Sequence, residues 1–184
     1  MQAARGTSLN ASDTPESDPD GSSSRIRSLQ IFWGVGITGF LVDLLSKNWA
    51  LGSLEGRGRV DVLGDLFGFR LTRNPGAAFS TGTAFTEALT VFAMVAVCVV
   101  VFLSFRVRNT GWAIGFGFLL AGVSGNLADR LTRDPGVMRG HVIDFLELPN
   151  WPIFNVADIL INLAAVTIIV MAIRGRRLDG TLHD

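Results

Sequence analysis

The sequence predicts a mainly α, polytopic membrane protein: four transmembrane helices with a small β-sheet between helices 1 and 2. Three observations predict it. Of 184 residues, 48% are hydrophobic and only 17% charged, with a mean hydropathy of +0.40, where a soluble domain carries roughly a quarter charged residues. Four apolar runs are long enough to cross about 30 Å of hydrocarbon as helices of about 20 residues. Between the first two runs, Phe67, Phe69 and Leu71 alternate with Gly68, Arg70 and Thr72, the period of a strand with one apolar face.

The N-terminal extension, residues 1–27, is expected to be polar and disordered. From Thr7 to Ser24 it is mostly Ser, Asp, Pro, Gly and Thr, too polar to bury a core. The first apolar run starts only after Arg25 and Arg27 and is followed by others, so it reads as a membrane helix, not a removable signal. A four-helix membrane domain is expected over residues 28–174, with a short tail at 175–184.

The first span is placed near Leu29–Ala50, with Asp43 and Lys47 four residues apart on one face, a spacing that allows an ion pair. After the predicted strand, Asn74-Pro75-Gly76 reads as a turn, followed by the small residues Ala77 and Ala78. The second span, Ala84–Phe105, is almost uninterrupted from Ala88 and reads as lipid-facing scaffold. The third, Gly111–Leu131, contains Gly111, Gly115, Gly117, Gly122 and Gly125, small residues that let helix backbones approach closely. At its end Asn126, Asp129 and Arg130 share a face, and Asp129 and Arg130 could neutralise each other. The segment 132–155 carries Asp144 between Ile143 and Phe145, read as a loop carboxylate in apolar company, and Trp151, suited to the lipid–water interface. The fourth span, Val156–Ile173, opens with Asn155, Asp158 and Asn162 at i, i+3 and i+7, with no cation on their own helix.

Ionisable groups inside spans are costly and mark function. Asp144 and Asp158 are expected near one membrane face beside Asn126, Asp129 and Arg130. Two carboxylates held close do not both ionise easily, so one keeps its proton while the other serves as a base. Such a pair can hydrolyse a peptide bond through an activated water, without metal or covalent intermediate. It could also relay protons, so a small proton-coupled membrane transporter using Asp43, Asp129 and Asp158 is the alternative.

Other classes fit less well. The formal net charge is zero, which advertises no nucleic-acid surface. Cys98 is the single cysteine, so no disulfide or cysteine-rich metal site is available, and both His141 and His183 lie outside the apolar runs. Gly122-Val123-Ser124-Gly125 spells the nucleophile motif of rhomboid serine proteases, but no span holds the histidine such a serine needs. Presenilin-like aspartyl proteases place a tyrosine before one aspartate, and this chain has none.

Five motifs occur in order: Asp43-Leu-Leu-Ser-Lys47, Asn74-Pro-Gly-Ala-Ala-Phe-Ser80, Gly122-Val-Ser-Gly-Asn126-Leu-Ala-Asp129-Arg130, Val142-Ile-Asp144-Phe145 and Phe154-Asn155-Val-Ala-Asp158. Together, over residues 29–173, they resemble the lipoprotein signal peptidases, the type II signal peptidases of bacteria. The resemblance implies a four-helix bundle in the cytoplasmic membrane, with both termini cytoplasmic and a small extracytoplasmic sheet near the active site. It implies an aspartyl endopeptidase with Asp144 and Asp158 as its catalytic pair. Asn74, Asn126, Asp129, Arg130 and Asn155 match residues that shape the site or hold substrate, and Asp43 and Lys47 match a structural pair. No metal or other cofactor is implied.

The expected partners are membrane lipids and prolipoproteins whose cysteine, just after the cut, carries a diacylglyceryl group. One aspartate would deprotonate a water while the other protonates the carbonyl oxygen and then the amine. Two features depart from the family: Ala121-Gly122 stands where Gly-Gly is common, and the segment from Asp144 to Asp158 is short. Orientation is not decided by charge, because the sixteen Lys and Arg residues divide evenly between the two faces.

Overall fold

In a computed structural model of the chain, the described residues form four helices and three short strands, in chain order one helix, two strands, two helices, one strand and a last helix. Helix α1 spans Pro19–Leu54, α2 Thr83–Ser104, α3 Thr110–Thr132 and α4 Val156–Ile173; strand β1 spans Val60–Leu63, β2 Phe67–Asn74 and β3 Val142–Glu147. The structure describes residues 19–76 and 83–181. The expected disorder of residues 1–18, the Ala77–Ala78 pair and His183 lie outside the described residues. Helix α1 begins at Pro19, so the end of the polar extension continues the first helix instead of ending at residue 27.

All four helices have a stretch long and apolar enough to cross a membrane. Their outward faces are apolar too: Phe92, Val95 and Phe102 on α2 are more than half exposed, as are Val166, Ile169 and Ile173 on α4. Water would penalise such faces, whereas hydrocarbon accepts them.

Helix α3 is the hub of the bundle, packing against each of the other three. Its glycines make that possible. A Cβ on Gly122 would stand 2.5 Å from the Ala157 carbonyl oxygen of α4, and one on Gly117 would stand 2.8 Å from Val35 Cβ of α1. Backbones come this close only where side chains are absent. Towards one end of the bundle Phe32, Val100, Val107, Ala113, Phe116 and Leu120 pack into an apolar core.

At the other end the three strands form an antiparallel sheet in the order β1-β2-β3. The predicted alternation in β2 is present, and its apolar face rests on the end of α1. Phe67, Phe69 and Leu71 pack with Ala50, Leu54, Phe145 and Leu146, and Trp49 meets Phe69 edge-on at 5.1 Å between ring centroids. The third strand corrects the sequence reading. It comes from between α3 and α4, so the sheet is not confined to the link between helices 1 and 2, and Asp144 lies on a strand, not in a loop. Residues 142–146 are all buried, so both faces of β3 are covered and no polar–apolar alternation marks it.

Candidate active site

The sheet and the start of α4 bring the two candidate aspartates together. Asn74 pairs with Val142 across the β2–β3 ladder, and Thr72 pairs with Asp144. Asn74 is therefore the diagonal neighbour of Asp144, within reach of a polar side chain on the same face. Its Nδ2 donates to Asp144 Oδ2 at 2.9 Å, while its Oδ1 accepts the Gly76 N–H at 2.8 Å and closes the predicted turn. The Gly76 φ of +95° suits glycine.

Asn155 caps α4 and also joins both carboxylates. Asn155 and Asp158 form a reciprocal capping box: the Asp158 N–H donates to Asn155 Oδ1 at 3.0 Å, and the Asn155 N–H donates to Asp158 Oδ2 at 3.1 Å. Asn155 Nδ2 donates to Asp144 Oδ1 at 2.6 Å and to Asn126 Oδ1 at 3.1 Å. Asn126 Nδ2 in turn donates to Asp158 Oδ1 at 3.0 Å. Asp158, without a cation on its own helix, is thus held by neutral N–H donors. Asp144 and Asp158 both line a cavity of about 500 Å³ with Asn74, Trp151, Asn162 and Val166. Burial raises the Asp144 carboxyl to about 6; the Asp158 charge adds to the rise, and hydrogen bonds from Asn74 and Asn155 and the Lys47 charge oppose it.

Behind this pair lies a buried charge cluster. Lys47 Nζ donates to Asn126 Oδ1 at 2.9 Å and forms ion pairs with Asp43 Oδ2 at 2.8 Å and Asp129 Oδ2 at 2.9 Å. The expected Asp43–Lys47 pair forms, and it also ties α1 to α3. Asp43 Oδ1 accepts the Ala157 N–H of α4 at 2.8 Å, and Asp129 Oδ2 accepts the Ile143 N–H of β3 at 3.2 Å. The cluster thereby anchors the residue preceding each aspartate.

The expected neutralisation of Asp129 by Arg130 does not occur. Asp129 pairs with Lys47 and with Arg133 Nε, because adjacent helical residues diverge while i and i+4 share a face. Arg130 instead turns towards the Asn74 turn, its guanidinium 3.7–3.8 Å from where a Gly76 Cβ would sit. Its Nη1 is buried with no hydrogen-bond partner among the described residues. A buried donor of this kind suits a carbonyl oxygen that arrives with a ligand.

Arg133 was missed by the sequence reading, although it stands four residues after Asp129, the same spacing that marked Asp43 and Lys47. A polar patch at the start of α2 was missed as well. Thr86 Oγ1 donates to the Pro75 carbonyl at 2.7 Å, Thr90 Oγ1 to the Met138 carbonyl at 2.9 Å, and Glu87 pairs with Arg139. These bonds pin the Asn74 turn and the segment after α3 to the bundle. Ser124 of the rhomboid-like motif lines an apolar groove with Trp33, Phe40 and Val97, whereas His141 lines a separate cavity with Arg73 and Arg133.

Residues 35–174 match the family described as signal peptidase (SPase) II. A lipoprotein signal peptidase from Rhodococcus jostii (strain RHA1) is 42% identical over 176 residues, covering 93% of this chain and 88% of the relative. Those of Streptomyces griseus and Mycobacterium avium are 38% and 39% identical, covering 85% and 83% of this chain and 80% and 84% of their own lengths. In three dimensions the fold is similar to a bacterial membrane enzyme solved by the in meso method at 1.9 Å resolution. The TM-score is 0.68 at 19% identity, over 83% of this chain and 94% of the other. A second such structure has a TM-score of 0.64 over 83% and 88%. None of this supports the transporter alternative.

Proposed function

The chain belongs to the signal peptidase II family of lipoprotein signal peptidases, and from that premise we propose that Asp144 and Asp158 are the catalytic pair of an aspartic endopeptidase. The protein is a multi-pass bacterial membrane peptidase that removes signal peptides from prolipoproteins. The observation that carries the aspartic reading is the single cavity lined by both carboxylates, with Asn155 bonded to each.

The chemistry follows from the different settings of the two groups. Asp144 holds its proton up to about pH 6 and takes the acid role. Asp158 serves as base. It takes a proton from water as the oxygen attacks the scissile carbonyl carbon, and Asp144 protonates the carbonyl oxygen. In the collapse of the resulting diol Asp158 returns its proton to the leaving nitrogen as the C–N bond breaks. Asp144 recovers one from a diol hydroxyl, so the pair ends as it began. The amine proton thus comes from Asp158, not from the group that protonated the carbonyl. Arg130 Nη1 is placed to hold a substrate carbonyl, while Asn74, Asn126, Asp129 and Asn155 position the pair, and Asp43 with Lys47 supports it.

The proposed substrate carries a diacylglyceryl group on the cysteine after the cut, and its chains enter sideways from the bilayer. Both termini are proposed to be cytoplasmic, with the sheet and the cavity on the extracytoplasmic side. The mechanism needs no metal, so a chelator should leave the rate unchanged. The deciding test is cleavage of a diacylglyceryl-modified precursor by purified protein. Asp144→Asn and Asp158→Asn should each lose activity by about 10²–10⁴-fold, the range of general acid–base groups. Folded Asp158→Asn protein with wild-type activity would overturn the reading.

A further inference from the structure

Asn162 is the polar residue of the α4 stripe that the catalytic scheme leaves unused. It follows Asp158 by four residues, about 6 Å further along the helix axis, on a helix that is otherwise apolar from Ile159 to Ile173 except for Thr167. It lines the same cavity as Asp144 and Asp158, and beyond it Leu163 and Val166, 44% and 60% exposed, continue that lining towards the hydrocarbon. Asn162 Nδ2 gives one hydrogen to the Asp158 carbonyl at 2.8 Å. Its second N–H and its Oδ1 have no partner among the described residues.

An amide on a lipid-facing helix surface is costly unless it meets a polar group. Leucine or valine would be the favourable residue there, as at neighbouring Leu163 and Val166. Whatever satisfies the amide must be polar, must lie within the span and must reach the cavity beside the dyad. A diacylglyceryl cysteine meets all three conditions. With its scissile amide nitrogen at the aspartates, its thioether arm leads away towards the bilayer. The acceptors it carries before the acyl chains begin are ester carbonyls, which offer lone pairs to a donor and no proton of their own.

We infer that the free N–H of Asn162 binds an ester carbonyl of the substrate's diacylglyceryl group, making Asn162 a determinant of specificity for the lipid linkage. This rests on the proposed reading of a lipid-modified substrate cut by the Asp144–Asp158 pair. The geometry gives the site a division of labour: the aspartates act on the peptide, Leu163 and Val166 line the path of the chains, and Asn162 recognises the ester junction between them.

The test compares two synthetic precursor peptides in lipid nanodiscs. One carries a diacylglyceryl cysteine and the other a dialkylglyceryl cysteine, whose ether links replace both ester carbonyls. Wild type should favour the ester substrate by about fivefold in kcat/KM, mostly through KM, the worth of one hydrogen bond. Asn162→Leu should abolish the preference, with the ester substrate losing more rate than the ether substrate. Asn162→Gln, which keeps an N–H donor, should retain a preference, and Asn162→Ala serves as a second amide-free variant should the leucine protein misfold. Equal losses on both substrates would place the amide on a peptide carbonyl and overturn the inference, as would an unchanged ester preference in the amide-free variants. Wild type that cuts neither substrate would overturn the parent reading instead.

Discussion

Asn155 Nδ2 donates to Asp144 Oδ1 at 2.6 Å, while the same residue's backbone N–H donates to Asp158 Oδ2 at 3.1 Å. One helix cap therefore sets the relative position of two carboxylates that come from different elements. Asn155→Ala should cost about 1 kcal/mol in stability, the usual value of a lost N-cap, and lower kcat by about 10²-fold, within the reach of misplacement at a reacting centre. Asn155→Ser should recover the cap but not the reach to Asp144. Thermal unfolding would then return towards wild type while precursor cleavage stays low.

The raised Asp144 pKa predicts the pH profile. A carboxyl lifted to about 6 is protonated below that pH and loses its proton above it. The active pair carries one proton, so kcat/KM of the free enzyme should fall as pH rises through about 6, approaching tenfold per pH unit well above it. Removing Asn74, whose hydrogen bond lowers this pKa, should move the fall to higher pH even though the maximal rate drops. A profile flat from pH 5 to 8 would contradict the acid role of Asp144.

Lys47 is fully buried and compensates two buried carboxylates on different helices. Lys47→Met would leave the buried Asp43 without a cation and Asp129 with Arg133 alone, at a cost of about 3–5 kcal/mol. Thermal unfolding in detergent should show a large loss that Asp43→Asn in the same chain reduces, because Arg133 still compensates Asp129. A Lys47→Met protein as stable as wild type would refute the hub role.

Glycines in the spans should separate into two kinds. A Cβ at Gly125 would collide with the Asp43 carboxylate, so Gly125→Ala should cost about 1–3 kcal/mol, as overpacking does, and impair cleavage as well. Gly34 and Gly52 of α1 have nothing within 4 Å of a built Cβ. Alanine there should be neutral or stabilising by up to about 1 kcal/mol. Parallel melting curves of the three variants check both halves.

Relations within one element were legible from the chain. The 3.6-residue period placed Asp43 with Lys47, Asn126 with Asp129 and Asn155 with Asp158 on shared faces, and the apolar runs announced four helices. The alternation in β2 announced a strand with Phe67, Phe69 and Leu71 on its packed face. Strand β3 was not legible, because both of its faces are covered and the period-two signal vanishes. The order of the spans put Asp144 and Asp158 near one membrane face as a possible carboxylate pair, and the resemblance of five motifs added the expectation that they are the catalytic pair.

The sequence by itself determined which residues share a face, since backbone geometry sets that one element at a time, and it determined that the faces between helices would have to carry charge. Only the tertiary structure decided who meets whom across elements. Lys47 joins Asp129 as well as Asp43, Asp129 takes Arg133 instead of Arg130, and Asn162 faces the cavity beside the dyad. The physical reason is that depth and rotation between helices are set by packing, here by the close approach of Gly117 to α1 and of Gly122 to α4. Those two contacts bring α1, α3 and α4 into the alignment in which the buried cluster and the aspartate pair form.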